Sequence, residues 1–350
     1  MTPVATLNRR PPAAAVGAAS LVAIALLAGC AGGSTLTPAA QPAGVQAKSE
    51  ARPAASCPCL YVANSANNSI TAYASGAQGD ATPTEEISGT YTDLESPDGV
   101  ALDPNGNIYV TNLGPGSLGG SSITVYNAGA NGNITPRQVV SGSKTGLSDP
   151  GGIAIDPLDT DLFFVSNYYN STITYYFTDD NGNEAPFATL GGSNTGLSEP
   201  TSIAFDSSED LYVTNNGNNT VTVYAPGSSG NVAPKQTISG AATGLNYPDG
   251  IAVDSKGNIY VSNESARSVT VYAAGANGNV SPIQTIHGKN TELSNPIGIA
   301  LDSSDDIYTA NQNPSRILEF AAGATGNVAP LHEIKGKKTG LSQPEGIVIH

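Results

Sequence analysis

A proline recurs six times ahead of a short Gly-Ile-Ala-like run, and the residue that follows it is in turn Asp98, Gly151, Thr201, Asp249, Ile297 and Glu345. Three of those six are carboxylates. Carboxylate oxygens are hard ligands, so Asp98, Asp249 and Glu345 gathered at one mouth would bind a hard cation such as Ca²⁺. Kept apart, they are solvated acids on an acidic protein. Tyr168 and Tyr169 stand together where corresponding positions carry small or polar residues, and Tyr247 precedes one of the recurring prolines. Rings with an apolar body and a polar tip suit a sugar or protein contact surface, or else lie flat on neighbouring loops.

The sequence offers little other chemistry. Its three histidines are His287 and His332, in or beside predicted outer strands, and His350 at the end. They allow no Ser-His-Asp or Cys-His arrangement and no multi-histidine zinc site. No glycine-rich loop joins a strand to a helix as a phosphate cradle would, so the 40 glycines belong to turns. The run from Asp179 to Glu184 lacks the spacing and distal Glu of a calcium loop and reads as a hairpin turn. Asp103, Asp156, Asp206, Asp254 and Asp302 recur at strand ends, where a short carboxylate accepts turn N–H groups.

A repeat must position the candidate residues. The segment Leu60-Tyr61-Val62-Ala63-Asn64 returns at Ile108, Phe163, Leu211, Ile259 and Ile307, at spacings of 48, 55, 48, 48 and 48 residues. The long interval holds five extra residues in the Gly-rich loop after Asn112 and two in 157–161. Each copy carries four strand signals separated by turn chemistry. In one copy these are Pro248–Asp254, the Ile-Tyr-Val-Ser-Asn segment from Ile259, Val269–Tyr272, and a strand after Gly278-Asn279-Val280-Ser281-Pro282. Four short strands per repeat make a propeller blade. Small residues in the first strand suit a crowded axis, and Tyr, Val, Ile and Thr in the next two pack between sheets. The proline before the fourth strand removes a donor from the outer edge.

The repeat begins on a second strand at Leu60 and ends on a first strand, Pro344–His350. These fragments add up to one blade. The expected fold is therefore all-β: a six-bladed β-propeller of four-stranded blades over residues 57–350, its ring closed by the C-terminal strand.

The Pro-x-Gly-Ile-Ala-x-Asp and Gly-Asn-Ile-Tyr-Val-x-Asn patterns resemble NHL-repeat propellers and the related YVTN-type families. That resemblance implies a scaffold fold which hosts binding proteins and enzymes alike. The arginine that often precedes the third strand in NHL repeats is replaced here by Ser69, Thr172, Thr220 and Ser268, and is present once as Arg316. The RNA-binding members are thus a poor analogy. Pro97-Asp98-Gly99 and Pro248-Asp249-Gly250 also resemble metal-ligand positions of gluconolactonase-like six-bladed hydrolases, which again implies Ca²⁺ at Asp98 and Asp249.

The N-terminus reads as a sorting signal. Arg9 and Arg10 precede an apolar run, Ala13–Leu27, that is too short to span a bilayer comfortably. Leu27-Ala28-Gly29-Cys30 resembles the bacterial lipobox, which implies cleavage before Cys30 and a diacylglycerol on its thiol. Ala31 then favours the outer membrane over the inner. Residues 30–56 are rich in Ala, Pro, Gly and Ser and read as a flexible tether. Removing residues 1–29 takes away two arginines and no acid, leaving 12 basic residues against 29 acidic. Such a surface repels phosphate backbones, so nucleic acid is excluded as a partner. Cys57 and Cys59 could form a strained local bridge, which is favoured, or an intermolecular one, or stay as free thiols.

Near-uniform repeats, absent catalytic groups and a lipid anchor together predict a non-catalytic envelope scaffold for an unknown protein or carbohydrate ligand, with no cofactor beyond the Ca²⁺ candidate. The alternative is a metal-dependent lactone hydrolase of the gluconolactonase type.

Overall fold

The computed structural model describes residues 58–114 and 120–350, with Pro58 and Cys59 as backbone only. The leader, the tether, Cys30 and Cys57 lie outside the described residues. Six four-stranded antiparallel sheets form the blades. In blade 5 the strands run outward from the axis as Pro248–Val253, Ile259–Asn263, Ser268–Tyr272 and Gln284–His287. Blade 1 is assembled from both ends of the repeat region, as Pro344–Ile349, Pro58–Asn64, Ser69–Ala74 and Glu85–Ser88.

The second and third strands are β-branched and aromatic because both of their faces are covered. Each hydrophobic cluster straddles a pair of neighbouring blades. One joins Tyr212, Val221 and Val223 of blade 4 to Ile251, Ile259, Val261 and Tyr272 of blade 5. Burying such side chains contributes roughly 1.5–3 kcal/mol each, so the blades are held mainly by their shared cores.

Polar groups fix how the blades and loops dock. The Asn that ends every second strand is fully buried. In five blades its amide donates to a third-strand threonine hydroxyl, as Asn215 does to Thr222 at 3.0 Å. Its oxygen accepts the N–H of the loop leading into the inner strand, in blade 4 that of Ser198 at 3.1 Å. The Gly-Asn/Asp-x-x-Pro turn, expected as a plain hairpin, proves to be a link between blades. Asn279 of blade 5 accepts the N–H of Ala242 at 2.8 Å, and Asp80 of blade 1 accepts that of Lys338 at 2.7 Å.

Two backbone features aim the site. In all six blades the pairing of inner and second strands slips within the first residues after the proline. Such a bulge frees a side chain from the regular alternation and re-aims it. The residue before each proline is left-handed, from Ser96 at φ 47° to Gln343 at φ 49°. Inner strands also approach closely at this level. A Cβ on Gly298 would fall on the carbonyl oxygen of Glu345, which explains a glycine there.

Candidate active site

Two rings of side chains surround one end of the axis. The first is the residue after each proline: Asp98, Gly151, Thr201, Asp249, Ile297 and Glu345. The second is the residue after each buried Asn: Ser65, Leu113, Tyr168, Asn216, Glu264 and Gln312. Every N–H of the second ring donates to the carbonyl of the left-handed residue before a proline, at 3.0–3.2 Å. The backbone is therefore nearly six-fold, and chemistry enters through the side chains alone. All of the first ring and five members of the second line a cavity of about 310 Å³. Asp149 and Tyr247, each just before a proline, also line it. Below it a channel of about 480 Å³ continues between the inner strands.

The three carboxylates expected at one mouth do converge on this cavity. It is walled by Asp98, Asp149, Asp249, Glu264 and Glu345, and by no lysine, arginine or histidine among the described residues. The side chains of Asp98, Asp249 and Glu345 lie deep in this wall, which penalises their charged forms. Burial, then the charges of Glu345, Asp249 and Asp149, holds the Asp98 carboxyl well above the usual range. Burial, followed by Glu345 and Glu264, pushes Asp249 up to about 8. Glu345 is also raised by burial, but Ser65 at 2.8 Å and Gln312 at 2.7 Å donate hydrogen bonds to its Oε1 and offset part of that rise. Carboxylates that share a site separate in this way into one that ionises and others that stay neutral.

A hard cation would suit these oxygens by type. Among the described residues, no three His, Cys, Asp or Glu side chains are grouped closely enough to hold a metal ion as they stand. Of the three tyrosines, Tyr168 and Tyr247 line the cavity, whereas Tyr169 is 74% exposed and does not. The Tyr168 hydroxyl donates to Glu199 at 3.0 Å, and burial with that neighbour pushes its pKa up to about 12. Sequence reasoning missed Asp149, Glu264 and Gln312. The signal for two of them was the position after the recurring Asn, read there only for its aromatic members.

A further break in symmetry falls at the carboxylates. In blades 2 to 5 a second-strand hydroxyl reaches the carbonyl after the next blade's proline: Thr111 to Gly151, Ser166 to Thr201, Thr214 to Asp249 and Ser262 to Ile297. Blades 1 and 6 have Ala63 and Ala310 in that place, opposite the carbonyls of Asp98 and Glu345.

No curated protein matches the sequence. Among solved structures the chain is similar to a nidogen/laminin complex chain, at 16% identity and a TM-score of 0.59 over 83% of this chain and 97% of that one. It is also similar to a periplasmic gluconolactonase from Pseudomonas aeruginosa, at 15% identity and a TM-score of 0.53 over 83% and 88%. A putative 6-phosphogluconolactonase from Bacteroides uniformis gives 15% identity and a TM-score of 0.55 over 83% and 84%. At such identities these likenesses establish the propeller fold alone. The family profile described as "Lactonase, 7-bladed beta-propeller" matches residues 59–341. That match corrects two expectations. The NHL-repeat and YVTN-type lipoprotein identity gives way, since the shared Tyr-Val-x-Asn strand reports a blade and not a family. The non-catalytic scaffold is overturned as well, because a nearly symmetric backbone leaves the axial side chains free to differ. With six blades where the family description has seven, the chain belongs to the lactonase family of β-propellers.

Proposed function

We propose that the protein hydrolyses a lactone at the axial mouth. The observation that carries this reading is a set of carboxylates in one cavity, with no cationic side chain in its wall among the described residues, whose surroundings separate their proton affinities. Glu345, the carboxylate favoured by hydrogen bonds, is the ionised member and takes a proton from a water molecule. The water oxygen bonds to the lactone carbonyl carbon, and negative charge develops on the carbonyl oxygen. Asp98, kept neutral by burial and its neighbours, donates a hydrogen bond to that oxygen. The ring C–O bond then breaks, and Asp249, neutral at pH 7, protonates the departing oxygen. The product is a hydroxy acid, and exchange with solvent removes the proton gained by Glu345 and returns the one given up by Asp249. Tyr168 and Tyr247 flank the ring at the rim.

The test is hydrolysis of a six-membered sugar lactone followed by proton release. Asp249→Asn and Glu345→Gln should each lower kcat by about 10²–10⁴-fold, the usual contribution of a positioned acid or base. Activity should fall as pH rises through about 8, where Asp249 loses its proton. Full activity in both variants would remove the mechanism.

An extracytoplasmic site of action is part of this proposal, supported by the N-terminal leader and the periplasmic gluconolactonase among the similar structures. Cys30 would be the first residue after processing and the point of lipid attachment. Cys30→Ala should release the protein from the membrane fraction or leave its precursor uncut, and unchanged size and partition would refute this.

A further inference from the structure

The mouth is short of hydrogen-bond donors. Its own donors are largely spent within the protein: the Tyr168 hydroxyl on Glu199, the Gln312 amide on Glu345 and the Thr201 hydroxyl on the carbonyl of Asp249. Among the described residues, the Asn216 amide and the Tyr247 hydroxyl remain for a ligand, beside the carboxyl protons of Asp98 and Asp249 that the proposed reaction uses. Acceptors are plentiful. Among the described residues, no group donates to the side chains of Asp98, Asp149 or Asp249, although all three face the cavity. The hydroxyls that cap the corresponding carbonyls in blades 3 to 6 are replaced by Ala63 and Ala310 opposite Asp98 and Glu345. A buried acceptor without a donor costs free energy until a ligand supplies one.

Resting on the lactonase reading, we infer that the mouth selects by charge: it takes a lactone that presents hydroxyl or ammonium donors and carries no negative group, and it rejects phosphorylated or carboxylated lactones. A phosphate would need a cationic partner, and the cavity wall has none among the described residues. The product, a carboxylate, is repelled by the same wall, which favours its release. Asp149 and Glu264, placed outside the bond-making steps, are the specificity-determining residues at the rim.

The experiment compares D-glucono-1,5-lactone with its 6-phosphate on the full-length protein. The neutral lactone should show at least a tenfold higher kcat/KM. The ratio should narrow in the Asp149→Asn/Glu264→Gln double variant, and it should narrow in the parent as salt rises to 1 M. Equal or better turnover of the phosphorylated lactone would overturn charge selection while leaving lactone hydrolysis in place. If neither lactone is turned over, the lactonase reading fails and binding decides the inference by itself. Tyrosine fluorescence is then titrated with N-methylglucamine and with 6-phosphogluconate. Saturable binding of the amine alone supports the inference, and binding of the anion as tight or tighter, or of neither, defeats it.

Discussion

Asp249 couples the site to stability. Its folded pKa, about 8, stands above the ordinary carboxyl value of 3.8, so the folded protein holds this proton more tightly than the unfolded chain. The contribution is favourable at low pH and is lost as pH climbs from about 4 through about 8. Asp249→Asn should therefore match the parent near pH 4 and exceed it near pH 9 by on the order of 2 kcal/mol, discounting the shift for screening by cavity water. Thermal melts across that range measure it, and a parallel loss in both proteins would show that Asp249 does not titrate this way. At this scale the sequence was informative where repeats disagree in type. Asp98, Asp249 and Glu345 stood out because acids replaced small or apolar residues after a conserved-looking proline. Glu264 and Gln312 did not, because every copy differs at that position and one more polar residue gives no contrast.

Elements are joined by buried side chains whose partners lie far along the chain. Asn215→Ala should cost about 2–3 kcal/mol, since it leaves the Thr222 hydroxyl and the Ser198 N–H without their bonds in a dry interior. Tyr224→Phe removes only the hydroxyl bond to the Thr195 carbonyl and should cost about 1 kcal/mol. Blade 6 already has Phe320 in the corresponding place. Urea unfolding at constant m-value distinguishes the two, and equal costs would contradict the linking role of the Asn. The strands were legible from periodicity, turn chemistry and the aspartates at strand ends, where Asp254 accepts the N–H groups of Lys256 and Asn258 at 2.9 and 2.8 Å. The links were less so. Periodicity reveals that Asn279 recurs, but its partner Ala242 belongs to another repeat, and nothing local in the sequence names it.

The ring as a whole depends on one inner strand. Leu60 pairs with Ile349 and Tyr61 with Val348, and Ile347 is buried against blades 6 and 1. Deleting residues 344–350 removes three large aliphatic side chains, worth roughly 1.5–3 kcal/mol each when buried, from a domain whose total is commonly about 5–15 kcal/mol. The truncated protein should lose its cooperative melt, and a melting temperature within a few degrees of the parent would show that the strand is dispensable. Blade count was legible because six second strands and six first strands could be tallied, whereas family membership was not, since blade-forming residues are shared across families. The same pairing imposes an order of events in time. Blade 1 stays three-stranded until the last inner strand has been synthesised, a wait of about 15–60 s after Leu60 at the usual rates of translation. Throughout it the two rims of the incomplete ring cannot find each other, and the second strand of blade 1 has a free edge. The export proposed for this chain would thread it through a membrane before it folds, and the delay serves that route: the strand that closes the ring is made after all six second strands.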